Sequence, residues 1–127
     1  MKVLSLDSAT NVASCAVVSP EKVLVEFSLN TGKTHSERLL PLVRQALDYA
    51  DLTLKDMDGF AVSIGPGSFT GLRIGLATVK AFSFFTEKPV VGIPTLDGLA
   101  ANLANVPGLI CPILQARKDE VYCALYI

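Results

Sequence analysis

A glycine-rich segment at residues 64–75 carries the residue types in this sequence that are best suited to binding a ligand. It reads Ile-Gly-Pro-Gly-Ser-Phe-Thr-Gly-Leu-Arg-Ile-Gly. The apolar run at residues 59–64 is typical of a buried strand, and the run at residues 76–85 is typical of a helix. A glycine-rich turn between a strand and a helix can direct backbone N–H groups at an anion. The segment therefore predicts a turn that could hold a phosphate.

The spacing of these glycines fits neither standard phosphate motif. G-x-G-x-x-x-G is one residue longer than the dinucleotide fingerprint, and the Gly-Lys-Ser/Thr ending of a P-loop is missing. Two interpretations stay open. The N–H groups of residues 67–70 could form an anion nest, or Gly67, Gly71 and Gly75 could form one helix face that allows another backbone to approach closely. Gly75 lies too far along the helix to touch an anion, which favours packing.

Other candidates for catalysis are sparse. His35 is the only histidine, and Cys15, Cys111 and Cys123 form no C-x-x-C pair. One histidine cannot build the usual three-ligand catalytic zinc site, and the sequence offers no Ser-His-Asp or Cys-His set. We therefore predict no catalytic residue and no metal ion. Unclustered cysteines indicate reduced thiols and a cytoplasmic location.

The composition argues against direct binding to nucleic acid or to a membrane. The net charge is −1, and the lysines and arginines are scattered rather than gathered in a basic stripe. No run reaches the 18 or so apolar residues of a membrane span. Half of the residues are hydrophobic, which is enough for the core of one domain.

The order of the predicted elements indicates an α/β fold. Three apolar runs within the first 30 residues are joined by short turns and predict an antiparallel meander. Strands then alternate with helices, which indicates parallel pairing with crossovers. Thr34 and Glu37 fit the sequence pattern of a capping box before the first helix, and Thr95 is the expected cap of the third. The order βββαβαβα predicts a ribonuclease-H-like mixed sheet of the actin and sugar-kinase superfamily, led by three antiparallel strands, with helices packed on it.

Five sequence segments together resemble the bacterial TsaB (YeaZ) family. They are LSLDSAT, THSERLLP, GPGSFTGLRIG, GIPTLDGLA and QARKDEVY, of which the glycine segment is the most specific. The resemblance covers essentially the whole chain. Members of this family are usually near twice this length. The resemblance therefore implies a ribonuclease-H-like N-terminal domain at residues 1–108 and the first strands of a second, truncated lobe at residues 109–127.

The resemblance implies a role in transferring a threonylcarbamoyl group to adenosine 37 of tRNA. In this family the protein is a non-catalytic scaffold that pairs with the catalytic subunit TsaD (Kae1 type) and works with the ATPase TsaE. We therefore expect no enzyme activity and no cofactor in this chain by itself, with ATP and Mg²⁺ used by the partner subunits. The resemblance also implies a cytoplasmic protein that meets tRNA indirectly, has no membrane contact and forms a homodimer when isolated.

The same resemblance places the partner interface on the glycine helix and the start of the first helix. TsaD proteins carry H-x-x-x-H metal ligands at the matching helix, whereas here the second position is Leu39. His35 is therefore expected at an interface or in a hydrogen bond at the helix start. The competing possibility is that the glycine face packs inside the domain. The expected interface residues are Gly67, Gly71, Gly75, Arg73 and His35.

A second functional reading is the N-terminal lobe of an actin-like ATPase or sugar kinase. In that superfamily the corner after the first strand holds an aspartate, glycine and hydroxyl residues that meet Mg²⁺ and phosphate. Here Asp7 and Thr10 match, but Ala9 stands at the glycine position. Alternatively, Asp7 only bonds nearby N–H groups in a turn. The possible phosphate-binding residues are Asp7, Thr10, Gly67, Ser68 and Thr70.

Overall fold

The computed structural model describes residues 1–32 and 35–127. The strands are β1 (Val3–Asp7), β2 (Ala13–Val18), β3 (Val23–Leu29), β4 (Gly59–Ser63), β5 (Val90–Ile93), β6 (Ile113–Gln115) and β7 (Val121–Cys123). The helices are α1 (His35–Tyr49), α2 (Phe69–Thr86) and α3 (Thr95–Ala101), with a 3₁₀ turn at Leu54–Asp56. The observed order is the predicted one.

Five strands form one mixed sheet in the order β3-β2-β1-β4-β5. The pairs β1–β2 and β2–β3 are antiparallel, whereas β1–β4 and β4–β5 are parallel. The three leading strands are therefore the predicted meander, and the crossover helices α1 and α2 connect the parallel part. This arrangement confirms the predicted α/β fold.

The hydrophobic core lies between one face of the sheet and the helices α1 and α2. Alternate residues of β1, β2 and β4 are buried on this face, in keeping with the two-residue period of a strand. Phe60 of β4 packs against Phe82 of α2, with ring centroids 5.7 Å apart. The residues between the buried ones, such as Ser5 and Asp7, point to the opposite face and are only half-buried. The sheet therefore has one covered face and one open face.

Helix α1 packs on the sheet through one apolar stripe, while Leu40 on its other side is exposed. Its buried residues are Leu39, Leu42, Val43, Ala46 and Leu47. Pro41 lies within the helix on its exposed side. The predicted cap Thr34 lies outside the described residues.

Helix α3 begins at Thr95 itself, one residue earlier than it would if Thr95 were its N-cap. The Gly98 N–H donates to the carbonyl of Pro94 at 3.1 Å, so Pro94 is the N-cap and Thr95 is the first helical residue. The Thr95 N–H donates to the carbonyl of Gly65 at 2.9 Å, which fixes this residue against the glycine loop. Its hydroxyl is buried without a hydrogen-bond partner, so the prediction that Thr95 caps the helix is wrong.

Residues 109–127 form a hairpin separate from the main sheet. β6 and β7 pair antiparallel, and an isolated bridge joins Ile110 and Tyr126. The Tyr126 hydroxyl donates a short hydrogen bond to Asp97 of α3, and that bond raises the pKa of Tyr126 above its usual value. Apolar side chains of the hairpin, among them Leu125, are exposed. Its assignment to a second lobe stays a prediction.

Among the described residues, no helix combines the length and the apolar character needed to cross a membrane.

The three cysteines differ in exposure, which leads to a testable difference in reactivity. Cys15 is buried in the core, and burial raises the pKa of its thiol to about 11, whereas Cys111 and Cys123 are exposed. With that pKa, only about one Cys15 thiol in a thousand is ionised at pH 8. Because the thiolate is the reactive form, Cys15 should react slowly. We expect two thiols per chain to react rapidly with a chromogenic disulfide at pH 8, and the third only after unfolding. A Cys15→Ser variant should keep both rapid equivalents; three rapid equivalents in the folded wild type would contradict the prediction.

Candidate functional site

The turn after β1 and the glycine loop after β4 meet at one edge of the sheet. β1 and β4 are parallel neighbours in register from Val3–Gly59 to Leu6–Val62. The segments that follow them therefore leave the sheet side by side, at the edge where ligands bind in many open α/β sheets. Residues 8–12 lead into β2, and residues 64–68 lead into α2. The topology thus joins the two polar segments that the sequence singled out.

Hydrogen bonds fix the β1–β2 turn to its neighbours. The carbonyl of Ala9 accepts a bond from the Ser68 N–H at 2.7 Å, and the carbonyl of Thr10 accepts one from Nε2 of His35 at 2.5 Å. Because a carbonyl can only accept, Nε2 of His35 carries the proton. The Ala9 N–H donates to Oδ1 of Asp7 at 2.9 Å, which is the bond expected if Asp7 stabilises the turn.

The glycine face of α2 packs on this turn of the same chain. Gly71 and Gly75 are buried. A Cβ at Gly71 would lie 2.1 Å from the carbonyl oxygen of Ser8, and one at Gly67 would lie 2.5 Å from that of Ala9. Both distances are far below van der Waals contact, so only glycine lets the two backbones come this close.

This packing corrects the predicted partner interface at Gly71 and Gly75. The close approach inferred from the spacing exists, but the approached backbone belongs to the chain itself, and neither glycine is open to a partner. Gly67 is half-buried in the same contact. Arg73 is exposed, whereas His35 is half-buried and bonded to the turn. A role of Arg73 or His35 in an interface stays a prediction.

Ser8 was missed by the sequence analysis and lies at the centre of this contact. Its side chain is 1% exposed, and its hydroxyl donates to the carbonyl of Gly71 at 2.6 Å. The same oxygen lies 2.4 Å from the position that a Cβ at Gly75 would take. The strand period carried the signal: Leu4 and Leu6 point into the core, so Ser8 should as well.

Two polar clefts open on either side of the turn. The larger, of about 500 Å³, lies where α1 and α2 begin, and the smaller, of about 400 Å³, separates the glycine loop from the β6–β7 hairpin. Thr10, Asn11 and Ser68 line both. The larger cleft is also lined by Asn30, His35 and Thr70, and the smaller by Gly67, Gln115, Arg117 and Tyr122.

Four of the five predicted phosphate-binding residues gather at these clefts, and Asp7 does not. Asp7 lines a trough of about 220 Å³ together with Ser5, Ser14 and Ser63 of the sheet. Arg117 is a cation at the smaller cleft that the sequence analysis did not select, although it lies in the QARKDEVY segment. Phosphate binding at either cleft stays a prediction.

The site offers no arrangement for a bound metal ion. Within residues 1–32 and 35–127, no group of three or more histidine, cysteine, aspartate and glutamate side chains is placed to hold one. The chemistry available at the clefts is hydrogen bonding by hydroxyl and amide groups, with one imidazole and one guanidinium.

The side of α2 opposite the glycines is exposed and largely apolar. Phe69 and Phe84 are 75% and 90% exposed. Arg73 lies over the ring of Phe69, with its guanidinium carbon 5.6 Å from the ring centroid, and Ala77 is exposed one turn further on. We call Phe69, Arg73, Ala77 and Phe84 the outer stripe of α2.

Comparison with known protein families shows which family the chain belongs to. Residues 23–127 match the family model described as TsaD, tRNA N6-adenosine threonylcarbamoyltransferase. The chain belongs to the TsaD family. This match covers the glycine loop, α2 and the hairpin, and thus most of the candidate site.

The predicted resemblance to TsaB is confirmed by relatives of that name. The tRNA threonylcarbamoyladenosine biosynthesis protein TsaB of Bacillus subtilis is 34% identical over 126 residues, which are 99% of this chain and 55% of the relative. TsaB of Escherichia coli is 34% identical, with the same two coverages. The chain therefore spans about half the length of these relatives.

Solved structures support the same relationship. YeaZ from Pseudomonas aeruginosa superposes with a TM-score of 0.88 at 33% identity, covering 98% of this chain and 58% of that one. Thermus thermophilus RuvC reaches a TM-score of 0.53 at 17% identity, covering 76% of this chain and 65% of that one. At that identity the likeness shows the fold alone, and it supports the ribonuclease-H-like assignment.

Two alanine substitutions should separate the backbone contact from the hydroxyl contact of the glycine face. Gly71→Ala places a Cβ against the Ser8 carbonyl, whereas Gly75→Ala places one against the Ser8 hydroxyl. We expect losses of about 3 and about 2 kcal/mol in the free energy of unfolding, because overpacking outweighs the gain in helix propensity. Urea unfolding followed by circular dichroism measures both.

Ser8→Ala is the matched second change for each variant. Without the hydroxyl, the nearest Ser8 side-chain atom to a Cβ at Gly75 is 3.6 Å away, an ordinary contact. Combined with Gly75→Ala, it should therefore recover about 1–2 kcal/mol relative to additivity, and with Gly71→Ala it should recover nothing. Equal recovery in both pairs would contradict the assignment of the Ser8 carbonyl to Gly71 and of the Ser8 hydroxyl to Gly75.

Proposed function

We propose that this chain is the scaffold part of a TsaB-like subunit in threonylcarbamoylation of adenosine 37 in tRNA. On this proposal it pairs with a TsaD-like catalytic subunit, works with a TsaE-like ATPase and meets tRNA only through them. The names of the relatives support the pathway, since they are biosynthesis proteins for tRNA threonylcarbamoyladenosine. The absence of a triad or metal-ligand set in the sequence supports a role other than catalysis.

The outer stripe of α2 is the observation that carries the proposed partner role. The inner face of α2 packs on the sheet, and its outer side exposes two phenylalanines and an alanine beside the cations Arg73 and Lys80. Exposed aromatic side chains grouped on one helix face and bordered by charge are typical of a protein–protein interface. An Arg–Phe pair beside aromatic and small residues is also the composition of an interface hot spot. We place the TsaD-like partner there, and we include in the proposed face Leu40, an exposed apolar residue of α1.

The remaining parts of the proposal follow from the same surface. In the absence of the partner, two copies of the chain would cover their outer stripes on each other, which gives a homodimer. ATP and Mg²⁺ would be bound by the partner subunits, and the complex would act in the cytoplasm.

Ala77→Glu tests the partner face without disturbing the fold. Ala77 is exposed in the middle of the outer stripe, so the substitution adds a charge only to the proposed interface. We expect it to weaken binding to the TsaD-like protein of the same organism by at least about thirtyfold, because the new carboxylate must lose its water at the interface and can draw Arg73, one turn earlier, away from the partner. Isothermal titration calorimetry measures the affinity.

Ala101→Glu is the matched control, since Ala101 is exposed on α3. It should leave the affinity unchanged, and both variants should keep the circular dichroism spectrum of the wild type. Wild-type affinity in the Ala77→Glu variant would rule out this face. No binding by the wild type would rule out the partner role of the chain.

The alternative function as an ATPase lobe predicts nucleotide binding, which we do not expect. The chain lacks a P-loop lysine, and Ala9 fills the position of the superfamily glycine while its carbonyl is bonded to Ser68. Asp7 is bonded to the turn and lines the trough rather than either cleft. Calorimetry with Mg-ATP on the isolated chain should therefore show no micromolar binding. Titration with a known ATP-binding protein under the same conditions is the positive control, and micromolar binding here would favour the ATPase reading.

A further inference from the structure

We infer that Ser8 is a positioning residue for the partner face: its buried hydroxyl sets how closely α2 approaches the sheet and thereby where the outer stripe stands. This inference rests on the proposed partner role of α2. It concerns a residue on the inner side of the helix that touches no partner.

The Ser8 hydroxyl is not needed to satisfy the helix. Gly71 lies in the first turn of an 18-residue helix, and a carbonyl there accepts the N–H four residues on. The bond from Ser8 to the Gly71 carbonyl is therefore a second bond, and it satisfies the serine rather than the helix. An alanine would avoid burying a polar group at this position. What the oxygen adds is volume directly under Gly75.

That volume decides the depth of α2. The hydroxyl oxygen lies 2.4 Å from the position of a Cβ at Gly75, and Cγ2 of Val62 lies 3.4 Å from it. At Gly75, which has no side chain, α2 therefore packs directly on Ser8 and Val62. Adding one methyl group must turn the serine aside or lift the helix, whereas removing the oxygen opens room beneath it.

Of the two helices that cover the core face of the sheet, α2 is supported in this way and α1 is not, as far as the described residues show. The sequence of α1 contains no glycine, and that helix rests on the sheet through its side chains, such as Leu39 and Val43. A partner that spans both helices contacts Leu40 of α1 and Ala77 of α2 at heights set by different contacts. Ala77 follows Gly75 by two residues on a rigid helix, so a shift at Gly75 changes that difference in height directly.

The test compares partner binding across a double-mutant cycle in the whole chain. We expect Gly75→Ala to weaken binding to the TsaD-like protein of the same organism about tenfold. Ser8→Ala together with Gly75→Ala should restore the affinity to within about twofold of the wild type, because the methyl group then occupies the place of the lost oxygen. Ser8→Ala alone, which only removes an atom, should weaken binding about threefold.

Val62→Ala separates positioning from stability. It removes packing atoms beneath the same glycine, and it lowers stability by leaving a cavity rather than by pushing α2 outward. Measured where each variant is fully folded by circular dichroism, Val62→Ala should weaken binding by no more than about threefold, as Ser8→Ala does, and clearly less than Gly75→Ala. Equal losses in Val62→Ala and Gly75→Ala, or no recovery in the double variant, would overturn the inference.

The two proposals fail in different ways. If the wild-type chain does not bind the TsaD-like protein, the proposed function fails and this inference falls with it. If the wild type binds and Ala77→Glu does not, while all Ser8 and Gly75 variants bind like the wild type, only the inference fails. Should Gly75→Ala not fold, the comparison of Ser8→Ala with the double variant decides: tighter binding by the double variant supports positioning, and equal binding overturns it.

Discussion

The backbone contact between α2 and the β1–β2 turn is the constraint on which the rest of the structure depends. The carbonyl of Ser8 occupies the space of a Cβ at Gly71, and the carbonyl of Ala9 bonds to the N-cap of the helix at Ser68. Moving α2 outward would break both contacts and uncover the core at Phe82. The contact therefore joins three levels of the molecule: the sheet edge, the clefts beside it and the outer surface of the helix.

Much of the fold could be predicted from the sequence because local signals agreed with the tertiary structure. The short connections among the first three strands allow only antiparallel pairing, and the helical stripe of α1 leaves a single choice of buried face. The glycine spacing likewise indicated that a backbone approaches α2. In each case one physical requirement, either chain reach or burial, was sufficient.

The direction of the glycine face could not be decided in the same way. α2 carries apolar residues on both sides, with aromatic rings on the outer one, so glycine spacing alone does not say whether the sheet or a partner meets the glycines. Only the three-dimensional pairing of β1 with β4 brings Ser8 against Gly71. The prediction that Thr95 caps α3 failed for a related reason. Its N–H donates to the carbonyl of Gly65, a residue 30 positions earlier that no local capping rule includes. The side of the sheet on which Asp7 lies was, by contrast, available from the alternation of β1, because it must oppose Leu6.

The parallel start of α1 and α2 at the larger cleft gives that cleft a definite electrostatic character. Each helix brings the positive end of its macrodipole, equivalent to roughly half an elementary charge, to the same opening. The described residues that line the cleft contribute hydroxyls, amides and an imidazole, but no carboxylate. A divalent cation entering there would therefore meet the positive helix ends with neutral oxygen ligands only. The potential of the opening is better suited to an anionic group than to a divalent cation.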